Sequence, residues 1–122
     1  SLSNHNIIRR KLEHLGIRFQ TENDTEVAAA YLTWKLRSST PLRKALEDCI
    51  SELDGFYTLC IGTKNGFAVV RDPIACKHAV LAETDSWVAM ATEFRALANL
   101  PDAENAKIWE PEPSTIYIWG EE

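Results

Sequence analysis

The chain has 122 residues, 45% of them hydrophobic, and carries a formal net charge of -5 at neutral pH. This composition can bury the core of one domain and excludes an intrinsically disordered chain. The acidic balance argues against a surface for nucleic acid or anionic lipid, because both require an excess of Lys and Arg. No apolar run approaches the ~20 residues that cross a bilayer, and no secretory signal begins the sequence. We therefore expect a cytoplasmic protein with no nucleic-acid or membrane partner.

Three segments in the first half of the chain predict helices. The first ends before Gly16, a natural helix terminator. The second covers residues 25–37 and is apolar around most of its circumference, which predicts that it lies between two layers. The third begins at Pro41 and has apolar residues at helical spacing. Between the first two helices, residues 17–21 alternate in polarity and predict a short strand.

Basic side chains cluster on and near the first helix: Arg9, Arg10, Lys11 and Arg18. A nucleic-acid site is one interpretation of such a patch. Glu13 interrupts the patch, and the whole chain is acidic, so we expect a solvated helix face instead.

The hydrophobic period changes from helical to extended after residue 55. Residues 56–62 and 67–71 predict two strands joined by a hairpin at Asn65, because Asn-Gly is a strong hairpin signal. Their near-continuous apolarity predicts a sheet that is covered on both faces. Later segments predict two further strands, a short helix from Phe94 to Leu100, and two closing strands around Trp109 and Trp119. These two tryptophans are core or interface anchors and are candidates for docking a partner.

Helices followed by antiparallel strands predict an α+β domain built in layers. One layer of helices covers one face of a sheet, and the sequence offers little to cover the other face. We therefore predict that the chain is an incomplete domain.

Three cysteines are widely spaced and include no CxxC pair: Cys49, Cys60 and Cys76. Their odd number predicts reduced thiols rather than disulfides, and a zinc site has little support. Cys49 and Cys60 fall in apolar segments and are predicted to belong to the core. Cys76 lies in a turn beside Lys77 and His78, basic neighbours of the kind that accompany a reactive thiol. No second base or oxyanion-binding signal accompanies Cys76, so a catalytic role is the weaker interpretation.

Three consecutive potential caps precede the second helix: Asn23, Asp24 and Thr25. An Asp at this position usually caps the helix or interacts with its dipole. Asn23 can supply the cap and free Asp24 for a ligand, with Glu26 as the partner of Asn23 in a capping box. A carboxylate fixed by a buried helix is a pre-ordered anchor for an ammonium group, and such a charge-assisted hydrogen bond contributes about 1.5–3 kcal/mol.

In this order the segments resemble the class II glutamine amidotransferases, which are N-terminal nucleophile hydrolases. The beginning of the chain resembles the part of that family that follows a His-Asn-Gly oxyanion motif, up to an Asp-Thr-Glu motif at Asp24. The segments that carry the resemblance are residues 1–27, 53–62, 67–73, 87–101 and 115–119. Residues 71–89 further resemble stand-alone amidotransferase subunits related to glutamate synthase and N-methylglutamate synthase. Two loops, residues 74–80 and 111–115, depart from the family's pattern.

The resemblance implies a four-layer αββα sandwich with mainly antiparallel sheets, of which residues 1–122 are the C-terminal portion of a single domain. In the family an N-terminal Cys attacks the glutamine amide, its own α-amino group is the base, and Asn-Gly stabilises the oxyanion. These groups are expected outside this chain, so we predict no catalytic residue within it. A nucleophilic Ser1 is rejected because it heads a helix, whereas such nucleophiles open a strand. The one role that the resemblance places here is substrate binding by Asp24, through the α-ammonium of glutamine.

The resemblance further implies that the intact domain hydrolyses glutamine to glutamate and ammonia for a synthase partner. The expected partners are glutamine, the remainder of the amidotransferase domain, and a synthase subunit or domain that accepts ammonia. No cofactor and no metal are expected, and the chain alone is predicted to be inactive. The alternative is a non-catalytic binding or assembly module that retains the amidotransferase fold.

Overall fold

The computed structural model describes residues 2–64 and 66–120. Three α-helices lead this part of the chain: α1 (His5–His14), α2 (Asp24–Arg37) and α3 (Leu42–Glu52). The strands follow them in the order β1 (Thr58–Thr63), β2 (Gly66–Arg71), β3 (Val80–Glu83), β4 (Val88–Ala91), β5 (Lys107–Trp109) and β6 (Ile116–Gly120). None of the described helices is both long enough and apolar enough to cross a membrane.

The strands form two antiparallel sheets of three strands each. The first has the order β1-β2-β6 and the second the order β4-β3-β5. In the first sheet Val70 lies opposite Leu59 on one side and Ile116 on the other. The strands of the predicted hairpin are confirmed as β1 and β2, while its turn residue Asn65 lies outside the described residues.

The layers are helices, first sheet and second sheet, in that order. Buried apolar residues of all three helices pack against Ala68 and Val70 of β2. On the other side, Trp119 donates its indole N–H to Glu83 of the second sheet at 2.8 Å, and its ring lies 6.4 Å from that of Trp109. This arrangement confirms the α+β fold class. The two tryptophans therefore have partners between the sheets, and the second sheet provides cover that we did not expect from this chain.

Several local predictions are wrong. Residues 17–21 form no strand in the structure, because the backbone groups of Gln20 and Thr21 bond to the side chains of Arg9 and Glu26 instead of to another strand. The helix predicted near residue 94 is a single 3-10 turn, Phe94–Ala96. Cys60 is exposed on β1 rather than buried in the core, because β1 is an edge strand of its sheet.

The segment before α1 is attached to the loop between α3 and β1. Leu2 pairs with Gly55 in an isolated antiparallel bridge. The side chain of Asn4 donates to the Glu52 carbonyl at 2.7 Å and accepts the Asp54 N–H at 2.9 Å. These contacts join parts of the chain about fifty residues apart in sequence, so they fix where α1 begins.

Asn4→Ala is expected to lower the free energy of unfolding by about 1–3 kcal/mol, because it removes two hydrogen bonds. Asn6→Ala is the matched control, since Asn6 is exposed on the same helix and its loss should change stability by less than about 0.5 kcal/mol. Urea unfolding of both variants measures the difference. Equal unfolding midpoints would contradict this role of Asn4.

Candidate functional site

Asp24 is the first residue of α2, and its carboxylate faces the segment that leads into α1. Oδ2 of Asp24 accepts the backbone N–H of Leu2 at 2.7 Å. The helix is capped by Asn23, whose Oδ1 accepts the Thr25 N–H at 2.8 Å. The structure thus confirms the predicted capping by Asn23, while ligand binding by Asp24 stays a prediction.

The surroundings of Asp24 favour its ionised form. The hydrogen bond from the Leu2 N–H lowers the pKa of the Asp24 carboxyl, and partial burial acts in the opposite direction. The charge of His5 and the Thr25 N–H lower the pKa further, so that its net shift is downward. The helix N-terminus also favours a negative charge at this place. Asp24 is therefore a partly buried anion at neutral pH.

Arg9 contacts the loop that leads into α2. Its guanidinium donates to the Thr21 carbonyl at 2.8 Å and to the Asn23 carbonyl at 3.4 Å. It also lies 4.7 Å from the centroid of the Phe19 ring, a distance typical of a cation–π contact. Arg9 is only 8% exposed, so its predicted place on the solvated helix face is wrong.

Glu26 contacts the same loop from the first turn of α2. Its carboxylate accepts the backbone N–H groups of Gln20 and Thr21 at 3.0 and 2.9 Å, and the Thr21 hydroxyl at 2.6 Å. The predicted capping box with Asn23 is therefore wrong, because Glu26 reaches further back along the chain. Glu26 and Arg9 together fix the backbone just before Asp24.

The three cysteines lie apart in the fold, on α3, on β1 and in the loop between β2 and β3. Cys49 is buried, and burial raises the pKa of its thiol to about 12, so that it is neutral at physiological pH. Cys60 and Cys76 are exposed. Within residues 2–64 and 66–120, no three His, Cys, Asp or Glu side chains gather as metal ligands do.

A groove runs between α2 and the open edge of β1. Its cavity has a volume of about 560 Å³. Its lining is mostly apolar and includes Thr25, Leu32 and Leu36 of α2 and residues 59–64 of the β1 segment. A second cavity of about 520 Å³ lies on the second sheet, where Phe94 and Ile108 are 49% and 42% exposed.

The fold and the order of segments define a class of protein, and comparison with known sequences agrees with it. The chain belongs to the glutamine amidotransferase domain family, whose sequence profile matches residues 1–99. This match confirms the resemblance drawn from the sequence.

The relatives include proteins that are much longer than this chain. Glutamine amidotransferase-like protein GlxB of Rhizobium meliloti is 61% identical over 119 residues, which cover 98% of this chain and 40% of GlxB. A putative glutamine amidotransferase of Methanothermobacter thermautotrophicus is 32% identical over 116 residues, covering 95% of this chain and 38% of that protein. The chain thus spans about two-fifths of these relatives.

A solved structure shows the same fold. The glutamine phosphoribosylpyrophosphate amidotransferase from B. subtilis, complexed with ADP and GMP, superimposes with a TM-score of 0.78 at 28% identity. The superposition covers 96% of this chain and 25% of that one. The mixed helix and antiparallel-sheet architecture is therefore that of the N-terminal nucleophile amidotransferases.

Proposed function

We propose that residues 1–122 are the C-terminal portion of a single class II glutamine amidotransferase domain, and that Asp24 binds the α-ammonium of glutamine in it. The intact domain hydrolyses glutamine to glutamate and ammonia, and a synthase subunit or domain accepts the ammonia. The observation that carries this proposal is the position of Asp24, an ionised and partly buried carboxylate held by the Leu2 N–H at 2.7 Å.

The Leu2 contact supports the proposal because it connects Asp24 with the segment that follows the expected oxyanion motif. Resemblance to the family implies an Asn-Gly oxyanion pair directly before Ser1, and therefore within three residues of Leu2. Only three carbon atoms separate the α-nitrogen of glutamine from its amide carbon, so the groups that bind its two ends must lie close together. The hydrogen bond between Leu2 and Asp24 supports the proposal, because it holds Asp24 close to the segment that the expected oxyanion pair precedes.

The chemistry of Asp24 suits an amino acid's ammonium group. A carboxylate accepts hydrogen bonds and offers no donor, and its charge complements the ligand. A charge-assisted hydrogen bond of this kind contributes about 1.5–3 kcal/mol. The contacts of Arg9 and Glu26 with the preceding loop hold the carboxylate in place before substrate arrives, which lowers the entropic cost of binding.

The open surfaces fit a partner formed by the remainder of the domain. In the described part of the chain β1 pairs only with β2, and the groove beside it is lined mainly by apolar side chains. Exposed Phe94 and Ile108 offer apolar surface on the second sheet. A long unpaired edge beside apolar surface is a liability unless another segment covers it. The length of the relatives is consistent with such a segment.

The proposal is tested by measuring glutamine hydrolysis in the complete natural protein with its synthase partner and, separately, in residues 1–122. We expect the complete protein to form glutamate and ammonia in equal amounts, counting the ammonia that the synthase takes up. We expect neither from residues 1–122, because the proposal assigns the nucleophile, the base and the oxyanion site to residues outside them. Hydrolysis by residues 1–122 alone would contradict the proposal. A complete protein without hydrolysis would favour the non-catalytic module that retains the fold.

A further inference from the structure

We propose that Arg9 is a positioning residue for Asp24, and that it aligns the carboxylate by holding the peptide that leads into it. This inference rests on the proposed function, because it assigns Arg9 a part in the binding of glutamine. Arg9 contacts the loop backbone, so it acts through Asp24 rather than on the substrate.

The contact with Asn23 is the one that reaches Asp24. The Asn23 carbonyl belongs to the peptide group that links Asn23 to Asp24, and Arg9 donates to it at 3.4 Å. A rotation of this peptide turns the Cα of Asp24 and moves its carboxylate. The shorter bond to the Thr21 carbonyl, at 2.8 Å, holds the guanidinium plane against the same loop.

Asp24 is held by α1 and by the segment that leads into it. Leu2, just before α1, donates to the Asp24 carboxylate, and Arg9, within α1, donates to the backbone that carries it. Asp24 is therefore held relative to α1 at two separate points. A single point would fix its distance from Leu2 but leave its direction free.

The type of side chain fits this role. Arg9 is 8% exposed, and its Nε has no hydrogen-bond partner among the described residues. Burying a guanidinium carries a desolvation cost that an apolar residue would avoid. What the guanidinium adds is a rigid plane with several donors, which can hold two carbonyls in a fixed relation. The Phe19 ring, 4.7 Å away, keeps that plane in place.

The test measures glutamine KM and kcat in the complete protein for Arg9→Gln, with Arg10→Gln as the matched control. Arg10 is the exposed neighbour, so its variant removes the same charge without touching the loop. We expect Arg9→Gln to raise KM by roughly tenfold, because a misplaced anchor weakens binding. We expect kcat to stay within about twofold, since ammonium binding acts equally on substrate and transition state. Arg10→Gln should leave both constants unchanged.

A double-variant cycle separates positioning from a general structural effect. In an Asp24→Ala background, Arg9→Gln should change KM by less than about twofold, since the group that Arg9 aligns is gone. A structural effect of Arg9 would raise KM by the same factor in both backgrounds, which would overturn the inference. If Arg9→Gln does not fold, Arg9→Lys replaces it in the same cycle, because Lys keeps the charge but lacks the planar fork.

The two proposals fail in different ways. If Asp24→Ala leaves the KM for glutamine unchanged, the assignment of Asp24 to the substrate is wrong, and the Arg9 inference falls with it. If Asp24→Ala raises KM while Arg9→Gln and Arg9→Lys do not, the substrate assignment stands and the positioning role of Arg9 is wrong.

Discussion

Asp24→Ala in the complete protein is expected to raise the KM for glutamine by about 10- to 100-fold. This range corresponds to the loss of a charge-assisted hydrogen bond worth about 1.5–3 kcal/mol. The value of kcat should change much less, because the ammonium group is bound equally before and during the reaction. Asp24→Asn should have a similar effect, since an amide retains the shape and an acceptor but not the charge.

Glu22→Gln is the control for this measurement. Glu22 is an exposed carboxylate two residues away, so its replacement removes the same charge from the same region. We expect the KM of Glu22→Gln to match that of the unmodified protein.

The rise in KM caused by Asp24→Ala should also be the same from about pH 6 to about pH 8, because the pKa of Asp24 is shifted downward from its ordinary acidic value. An unchanged KM in Asp24→Ala would contradict the assignment.

Leu46→Ala is expected to lower the free energy of unfolding by about 2–5 kcal/mol. Leu46 is fully buried on α3, in the cluster where the helices meet the first sheet. Its truncation removes buried apolar surface and leaves a cavity that the close-packed surroundings fill only in part. Urea unfolding measures the loss, and the dependence of the free energy of unfolding on urea concentration is compared between variants.

Leu15→Ala is the matched control, because Leu15 is a leucine 52% exposed just after α1. We expect it to change stability by less than about 0.5 kcal/mol. Similar unfolding midpoints for the two variants would show that the helical core is not organised as the structure places it.

Local signals in the sequence predicted the parts of the fold that depend on neighbouring residues. The period of the third helix predicts α3, and Asn-Gly predicts the antiparallel pairing of β1 with β2. The cap by Asn23 was also predictable, because it needs only the Thr25 N–H two residues away. Each of these features forms within a few residues, where spacing and side-chain type decide the outcome.

Features that depend on distant partners could not be predicted in this way. The alternation of residues 17–21 is that of a strand, but a strand also needs an unpaired edge beside it. Arg9 carries no local sign that its guanidinium will meet the carbonyls of Thr21 and Asn23. Its one signal is its place between Ile8 and Leu12, both buried on the same helix.

The division into two sheets is also non-local. β2 pairs with β6, whose residues lie far along the sequence, and the intervening strands β3, β4 and β5 form a separate sheet. Sequence patterning predicted each strand but not the sheet to which it belongs. It therefore suggested that one face of the first sheet is uncovered, at the place where the second sheet lies. Cys60 is exposed for the same reason, because the strand order β1-β2-β6 leaves β1 at an edge of its sheet.

The most direct test of the ammonium anchor compares glutamine with its analogue that lacks the α-amino group, using the complete protein and its Asp24→Ala variant. We expect the unmodified protein to prefer glutamine by about 10- to 100-fold in kcat/KM, and the variant to lose that preference while hydrolysing the analogue as before. Equal preference for glutamine in both proteins would show that Asp24 does not recognise the ammonium group, and would contradict the account.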